Sequence, residues 1–197
     1  MRWLHFNTLG TLLILVAGCA STPREPATAT DWTSHRRAVG EIQQWSFSGK
    51  LAIRTANGAD SARLRWSQQG EDLQLEVSGP IGVKQIIFVK QGATLRVFEG
   101  NQWRTLTAEE ASLEQELGWP LPLNLLPWWL RGLPSPVLAT TDMTLIDGRV
   151  ETLNQAGWQL EYAGYEQVDG LALPRKMMFQ RDDVQGKIIF KQWQLTP

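Results

Sequence analysis

The chain has 197 residues, 43% of them hydrophobic, and a formal charge of −1. About 165 residues follow the leader and tether described below, which is enough for one domain with a sizeable core. The near-balanced charge, without a basic block, argues against a nucleic-acid partner. Ten tryptophans are scattered along the sequence rather than gathered into one motif.

The first residues have the layout of a secretory signal. Arg2 gives a short positive region, and an apolar run from Leu9 to Ala17 precedes Gly18 and Cys19. This run is about ten residues long, short of the roughly 20 that cross a bilayer. We therefore predict that residues 1–18 are a cleaved signal peptide; an uncleaved membrane anchor is the alternative.

The end of this segment predicts a lipid anchor. Residues 16–19, Val-Ala-Gly-Cys, resemble a bacterial lipobox, in which the cysteine is diacylated, exposed by cleavage and acylated again. Cys19 is the only cysteine, so no disulfide can form within the chain. Lipidation of Cys19 is the prediction, and an unmodified thiol left in the leader is the alternative. By resemblance to known lipoprotein sorting, Ala20 and Ser21, with no aspartate, favour the outer membrane, with the folded part facing the periplasm.

Residues 19–30 comprise this cysteine and a stretch rich in Ser, Thr, Pro and Ala, which predicts a flexible tether. Such a tether of about twelve residues reaches about 20 Å. Residues 31–197 are then expected to form a single domain.

The domain is predicted to begin with a helix and continue as strands. Residues 31–44 favour a helix, with Asp31 as its N-cap and Trp32, Val39 and Ile42 near one face. Apolar and polar residues then alternate, as is typical of half-buried antiparallel strands. The predicted strands of this half lie at 45–53, 62–67, 72–77, 83–89, 95–97 and 103–106.

Residues 79–82, Gly-Pro-Ile-Gly, look like a hairpin tip between two of these strands. Leaving Ile81 in water forgoes about 1.5–3 kcal/mol that burial of this side chain would give. We therefore expect Ile81 to contact something apolar. The alternative is a tip folded back onto the sheet.

The middle of the domain is predicted to be helical. Residues 107–110 fit a capping box, and that helix is expected to end at Gly118. In the next helix Asn124 can cap, Pro127 is tolerated in the first turn and Gly132 suits the C′ position. This second helix is apolar nearly all round, so it must be buried on several sides or line something apolar.

Strands are predicted again after Pro136, at 149–154, 158–162, 173–179 and 188–195. The order of helix, strands, helices and strands predicts an α+β fold, with a long antiparallel sheet and helices on one side.

No catalytic constellation is visible in the sequence. His35 is the one histidine left after cleavage, and we interpret it as a lone surface histidine, so no Ser-His-Asp triad can be assembled. One histidine and one acylated cysteine make a transition-metal site improbable. We predict no enzyme, no cofactor and no metal. A carboxylate pair for sugar chemistry among the scattered acidic residues stays open.

Several pieces occur in the order of one known family. They are Asp31-Trp32 leading into residues 44–51 (Gln-Trp-Ser-Phe-Ser-Gly-Lys-Leu), residues 62–66 (Ala-Arg-Leu-Arg-Trp), residues 79–82, residues 118–123 (Gly-Trp-Pro-Leu-Pro-Leu) with 129–134 (Trp-Leu-Arg-Gly-Leu-Pro), and residues 158–162 (Trp-Gln-Leu-Glu-Tyr) before Leu173-Pro174. Together with the lipobox, this ordered set resembles the LolB family of outer-membrane lipoprotein receptors.

The resemblance implies an incomplete antiparallel β-barrel, that is, a large curved sheet covered by helices and enclosing an apolar cavity. It implies a monomeric receptor that accepts acylated lipoprotein cargo from the periplasmic carrier LolA. The cargo would be inserted into the inner leaflet of the outer membrane, without covalent chemistry. The family's exposed hydrophobic loop residue corresponds to Ile81, so Pro80, Ile81 and Gly82 are the predicted membrane-insertion loop.

Ten apolar side chains are our candidates for the acyl-chain cavity, and ordinary core packing is the alternative for each. They are Trp45, Phe47, Leu51, Leu64, Trp66, Leu75, Trp128, Trp129, Trp158 and Met177. The competing functions are an anchored carrier of lipids or glycolipids and a structural lipoprotein of an envelope assembly complex.

Overall fold

A computed structural model describes residues 31–79, 85–106 and 122–196. Two helices and thirteen strands lie in these ranges. They are α1 (Trp32–Gly40), β1 (Gln44–Thr55), β2 (Gly58–Gln69), β3 (Asp72–Ser78), β4 (Gln85–Gln91), β5 (Thr94–Glu99), β6 (Gln102–Leu106), α2 (Leu126–Leu130), β7 (Thr140–Ile146), β8 (Arg149–Gln155), β9 (Trp158–Tyr162), β10 (Tyr165–Val168), β11 (Leu171–Pro174), β12 (Lys176–Arg181) and β13 (Val184–Thr196).

Eleven strands form one curved antiparallel sheet. Their order across the sheet is β6-β5-β4-β3-β2-β1-β13-β12-β9-β8-β7, and β10 and β11 form a separate hairpin. The first and last strands therefore pair in the middle of the sheet, with Gln44 opposite Thr196. Within the described residues, β6 and β7 each have one neighbour, so the sheet is not closed. The predicted large and incompletely closed antiparallel sheet is confirmed, whereas its cover of helices stays a prediction.

Alternating side chains explain why the long strands carry one apolar face. In β1, Trp45, Phe47, Gly49, Leu51 and Ile53 are buried, while the residues that alternate with them are more exposed. Because successive side chains of a strand point to opposite faces, the apolar set shares one face of the sheet.

Two glycines allow β1 and β13 to approach each other closely. The pairing of these strands shifts its register between Ser48 and Gly49. A Cβ atom on Gly49 would lie 2.8 Å from the Ile189 carbonyl oxygen. A Cβ atom on Gly186 would lie 2.6 Å from the Ala52 carbonyl oxygen and 2.5 Å from Phe179 Cζ. Both positions therefore require a residue without a side chain.

The two helices are shorter than predicted. Asp31 caps α1 by accepting from the Ser34 backbone N–H at 3.0 Å, but α1 ends at Gly40 rather than near Gln44, which already belongs to β1. Leu125, not Asn124, is the N-cap residue of α2. A turn precedes α2, in which Leu125 N and Leu126 N both donate to Pro122 O, so no side-chain cap is used.

The last strands differ in detail from the prediction. The predicted strand over 173–179 is divided at Arg175 between β11 and β12. The sequence reading also missed β7 and β10. Several predicted features lie outside the described residues. They are Cys19, the tip residues Pro80, Ile81 and Gly82, residues 83–84 of the predicted fourth strand, and the helix predicted from residue 107 to Gly118. No helix in the described part of the chain is long and apolar enough to cross a membrane.

Candidate functional site

An apolar pocket lies between α2 and the apolar face of the sheet. Its free volume is about 50 Å³. Strands from both halves of the sheet contribute to it, together with α2 and the turn before it. The lining residues are Phe47, Leu51, Leu64, Trp66, Leu75, Val77, Pro122, Leu126, Trp129, Leu130, Trp158, Leu160, Met177, Phe179 and Ile188.

Eight of the ten candidate side chains meet around this pocket. These are Phe47, Leu51, Leu64, Trp66, Leu75, Trp129, Trp158 and Met177. The sequence reading missed Leu160 and Phe179, although each stands two positions after a candidate on the same strand and therefore on the same face. That these side chains contact acyl chains stays a prediction.

The other two candidates lie outside the pocket. Trp45 is buried and packs against Trp66 and Trp193, with ring centroids 5.9 and 5.8 Å away. Trp128 is only partly buried, and the guanidinium carbon of Arg131 lies 5.1 Å from the centroid of the Trp128 ring.

A buried amide fixes α2 against the sheet. Gln155, at the end of β8, is fully buried, and its Oε1 accepts from Trp129 Nε1 at 2.8 Å and from Ser135 N at 2.9 Å. Its Nε2 donates to Ser135 O at 2.8 Å and to Leu138 O at 2.9 Å. The hydroxyl of Tyr162 donates to Trp129 O at 2.8 Å, and burial raises the pKa of Tyr162 well above its usual value. These bonds hold the pocket wall in place.

Arg131 joins α2 to the end of α1. Its guanidinium is buried and donates to Val39 O at 2.8 Å, Ile42 O at 3.1 Å and Pro127 O at 2.9 Å. The same group lies 5.5 Å from the ring centroid of Trp45. Burial lowers the pKa of Arg131 to about 10, so the side chain stays charged at neutral pH. Backbone carbonyls at a helix C-terminus suit such a cation.

His35 is buried, so its interpretation as a surface histidine is wrong. Only 3% of the residue is exposed, and its ring packs beside Trp32 and Tyr165 at centroid distances of 6.2 and 6.3 Å. Position 35 is three residues after Trp32 and four before Val39, so it falls on the inner face of α1. Burial and the nearby Arg149 charge lower the pKa of His35.

The described residues hold no group of three or more His, Cys, Asp or Glu side chains that could bind a metal ion. The side chains that line the pocket are all apolar or aromatic. The pocket can therefore offer shape and apolar contact to a ligand.

Solved structures define the fold class. The chain superposes on a putative outer membrane lipoprotein-sorting protein domain from Vibrio parahaemolyticus with a TM-score of 0.56 and 10% identity, covering 84% of this chain and 91% of that one. It superposes on a LolA superfamily protein from Nitrosomonas europaea with a TM-score of 0.54 and 14% identity, covering 85% and 94%. The open antiparallel sheet thus shares its fold with these two proteins.

Sequence comparison gives the family within this class. The family described as "Outer membrane lipoprotein LolB" matches residues 43–193. The outer-membrane lipoprotein LolB of Nitrosococcus oceani is 33% identical over 202 residues, covering 99% of this chain and all of that protein. The LolB protein of Chromohalobacter salexigens is 31% identical over 191 residues, covering 95% and 89%.

The chain therefore belongs to the LolB family of outer-membrane lipoproteins. This membership confirms the resemblance carried by the ordered motifs, and it confirms the outer membrane as the predicted location. The family is one of lipoprotein receptors rather than of enzymes.

Proposed function

We propose that this protein is a lipid-anchored receptor that takes acylated lipoproteins from a LolA-type periplasmic carrier and inserts them into the inner leaflet of the outer membrane. The observation that carries the proposal is the apolar pocket under α2, which is lined by side chains from both halves of the sheet. Family membership supports the same function. Binding would require no covalent chemistry.

The energetics of the cargo explain why such a pocket is needed. A triacylated cysteine carries roughly forty CH₂ groups, and each buried group contributes about 0.8 kcal/mol. Exposing them all to water would cost over about 30 kcal/mol. Because the acyl-binding site of the carrier, the pocket of the receptor and the interior of the membrane are all apolar, the net driving force for transfer is a small difference between large terms.

The pocket must widen to accept an acyl chain. A volume of about 50 Å³ has room for only a few water molecules, each needing about 10–15 Å³. Cargo binding therefore displaces side chains on α2 or on the facing strands. Because α2 is only five residues long, its movement is the simplest way to enlarge the pocket, and it would break the hydrogen bonds that join Trp129 to Gln155 and Tyr162.

The loop of Pro80, Ile81 and Gly82 is proposed to act at the membrane step. The mature protein would be held by acyl chains on Cys19 and the tether of residues 19–30, which leaves the folded domain of residues 31–197 free to approach the bilayer. Ile81 would then enter the membrane interface or guide acyl chains as they leave the pocket.

A transfer assay with residues 20–197 tests this function. A radiolabelled acylated lipoprotein is presented in complex with its periplasmic carrier, and outer-membrane vesicles are then added. We expect the label to move onto this protein and then into the vesicles. If the label stays on the carrier, the receptor function is wrong, and a general lipid carrier or an assembly scaffold becomes the better account.

The same assay separates the pocket from the loop. Ile81→Glu should leave acceptance of cargo near normal but block delivery to vesicles, because a charged tip cannot enter an apolar layer. Ile81→Leu is the matched control and should deliver cargo normally. Delivery by the glutamate variant would show that the tip has no membrane role.

A further inference from the structure

One polar group in the pocket lining has no partner. The Trp158 side chain lines the pocket and packs edge-on against Trp129 and Phe179, which also line it, at centroid distances of 6.3 and 5.9 Å. Trp158 is 2% exposed. Its indole Nε1 is buried and makes no hydrogen bond. Among the unpartnered buried side-chain atoms of the described residues, it is the one whose side chain belongs to the pocket.

Three other buried tryptophans have an internal hydrogen-bond acceptor for their indole N–H. Trp66 donates to Gln68 Oε1 at 3.1 Å, Trp129 to Gln155 Oε1 at 2.8 Å, and Trp193 to Pro174 O at 3.0 Å. Buried indole N–H groups usually find an acceptor in this way. The unpaired donor of Trp158 therefore stands out as a feature that stability alone does not explain.

The group that would satisfy this donor must be an acceptor attached to an apolar ligand. A fatty-acyl ester has this chemistry, since its chain is apolar and its carbonyl oxygen accepts one hydrogen bond. Buried without a donor, that carbonyl would itself lose its hydrogen bonds to water, which is unfavourable. Pairing it with the Trp158 N–H would remove the penalty on both groups.

We propose that Trp158 is a positioning residue that donates a hydrogen bond to an ester carbonyl at the head of a cargo acyl chain. This inference rests on the proposed function, because it assumes that acyl chains enter the pocket. It adds that the pocket distinguishes esterified fatty chains from plain alkyl chains. The bond forms when the pocket widens, since the indole nitrogen is sealed from solvent in the narrow state.

Paired lipopeptides test the inference. One is an N-acetylated cysteine peptide that carries a diacylglyceryl group, and the other is its dialkyl ether with chains of equal length. Their affinities for the mature protein are compared by competition. We expect about a fivefold preference for the ester, the order that one neutral hydrogen bond supplies. The Trp158→Phe variant should bind both with equal affinity.

Trp193→Phe is the matched control, because it makes the same ring change at a buried tryptophan outside the pocket lining and removes a donor that already serves Pro174 O. It should keep the preference for the ester. Should Trp158→Phe not fold, the ¹⁵N-indole resonance of Trp158 in the unmutated protein gives a second readout. It should shift downfield with the ester lipopeptide and not with the ether.

Each outcome separates this inference from the function beneath it. Equal binding of ester and ether by the unmutated protein, or a preference that survives Trp158→Phe, overturns the role of Trp158 and leaves the receptor function standing. Failure to bind either lipopeptide overturns both.

Discussion

Replacing Gln155 by glutamate removes a single donor group from the bonds that hold the wall of the pocket. The carboxylate can still accept from Trp129 Nε1 and Ser135 N but cannot donate to Ser135 O and Leu138 O, which the Gln155 amide reaches at 2.8 and 2.9 Å. Leaving a buried carbonyl without its partner costs about 1–3 kcal/mol. Two such carbonyls predict a loss of about 2–6 kcal/mol in the free energy of unfolding at neutral pH.

Equilibrium unfolding in urea, followed by circular dichroism, measures this loss. Gln159→Glu is the matched control, because Gln159 is exposed on the neighbouring strand β9 and receives the same change of charge. Surface substitutions of this kind usually stay within about 0.5 kcal/mol. If the two variants lost equal stability, the hydrogen bonds of Gln155 would not be what stabilises this region.

The pH dependence of Gln155→Glu gives a second check. Burial and the facing carbonyls disfavour the charged form, so the introduced carboxyl has a higher pKa in the folded than in the unfolded state. The unfolded chain then releases its proton first as the pH rises above about 4.3. The penalty should therefore grow from pH 4 towards pH 7. A penalty that is independent of pH would contradict the assignment.

Three further predictions concern the packing around the pocket. Arg131→Met should lower the free energy of unfolding by about 2–4 kcal/mol, because buried carbonyls lose a charged donor. Amide hydrogen exchange in α1 should also become faster. Unchanged exchange would argue against the link between the two helices. Gly186→Ala should lower the melting temperature through a clash costing about 1–3 kcal/mol, whereas Gly40→Ala, with no atom within 4 Å of its new Cβ, should not. The pKa of His35 is lowered by burial, so the unfolded chain takes up the proton first and stability should fall as the pH drops below about 6.5. Urea titrations at pH 7.5 and 5.5 should show a smaller fall for His35→Gln than for the unmutated protein. An equal fall in both would contradict this role of His35.

The face of each strand could be predicted from the sequence, but not the position of the pocket along it. Trp45 and Phe47 have the same phase in β1, yet Phe47 lines the pocket while Trp45 lies among Trp66, Trp193 and Arg131. A period of two identifies which side chains point inwards. It carries no information about which of them the short helix α2 covers.

Solvent exposure explains why β7 was not predicted. In β7, Thr140–Ile146, six of seven residues are exposed and the pairing with β8 shifts register twice. An edge strand of this kind shows no alternation, so the pattern that revealed β1 is absent. His35 shares one face of α1 with Trp32 and Val39, so its burial follows from helical spacing rather than from its chemistry.

The pairing of β1 with β13 ties the two ends of the domain together at the centre of the sheet. Long-range strand pairing is slow to form, because the intervening chain must first be brought together. Until the thirteen-residue strand β13 is available, β1 is therefore an edge strand that pairs only with β2. Folding can be complete only when the whole chain is available. A chain truncated before Val184 would have two further open sheet edges, at β1 and β12, rather than form a slightly smaller domain.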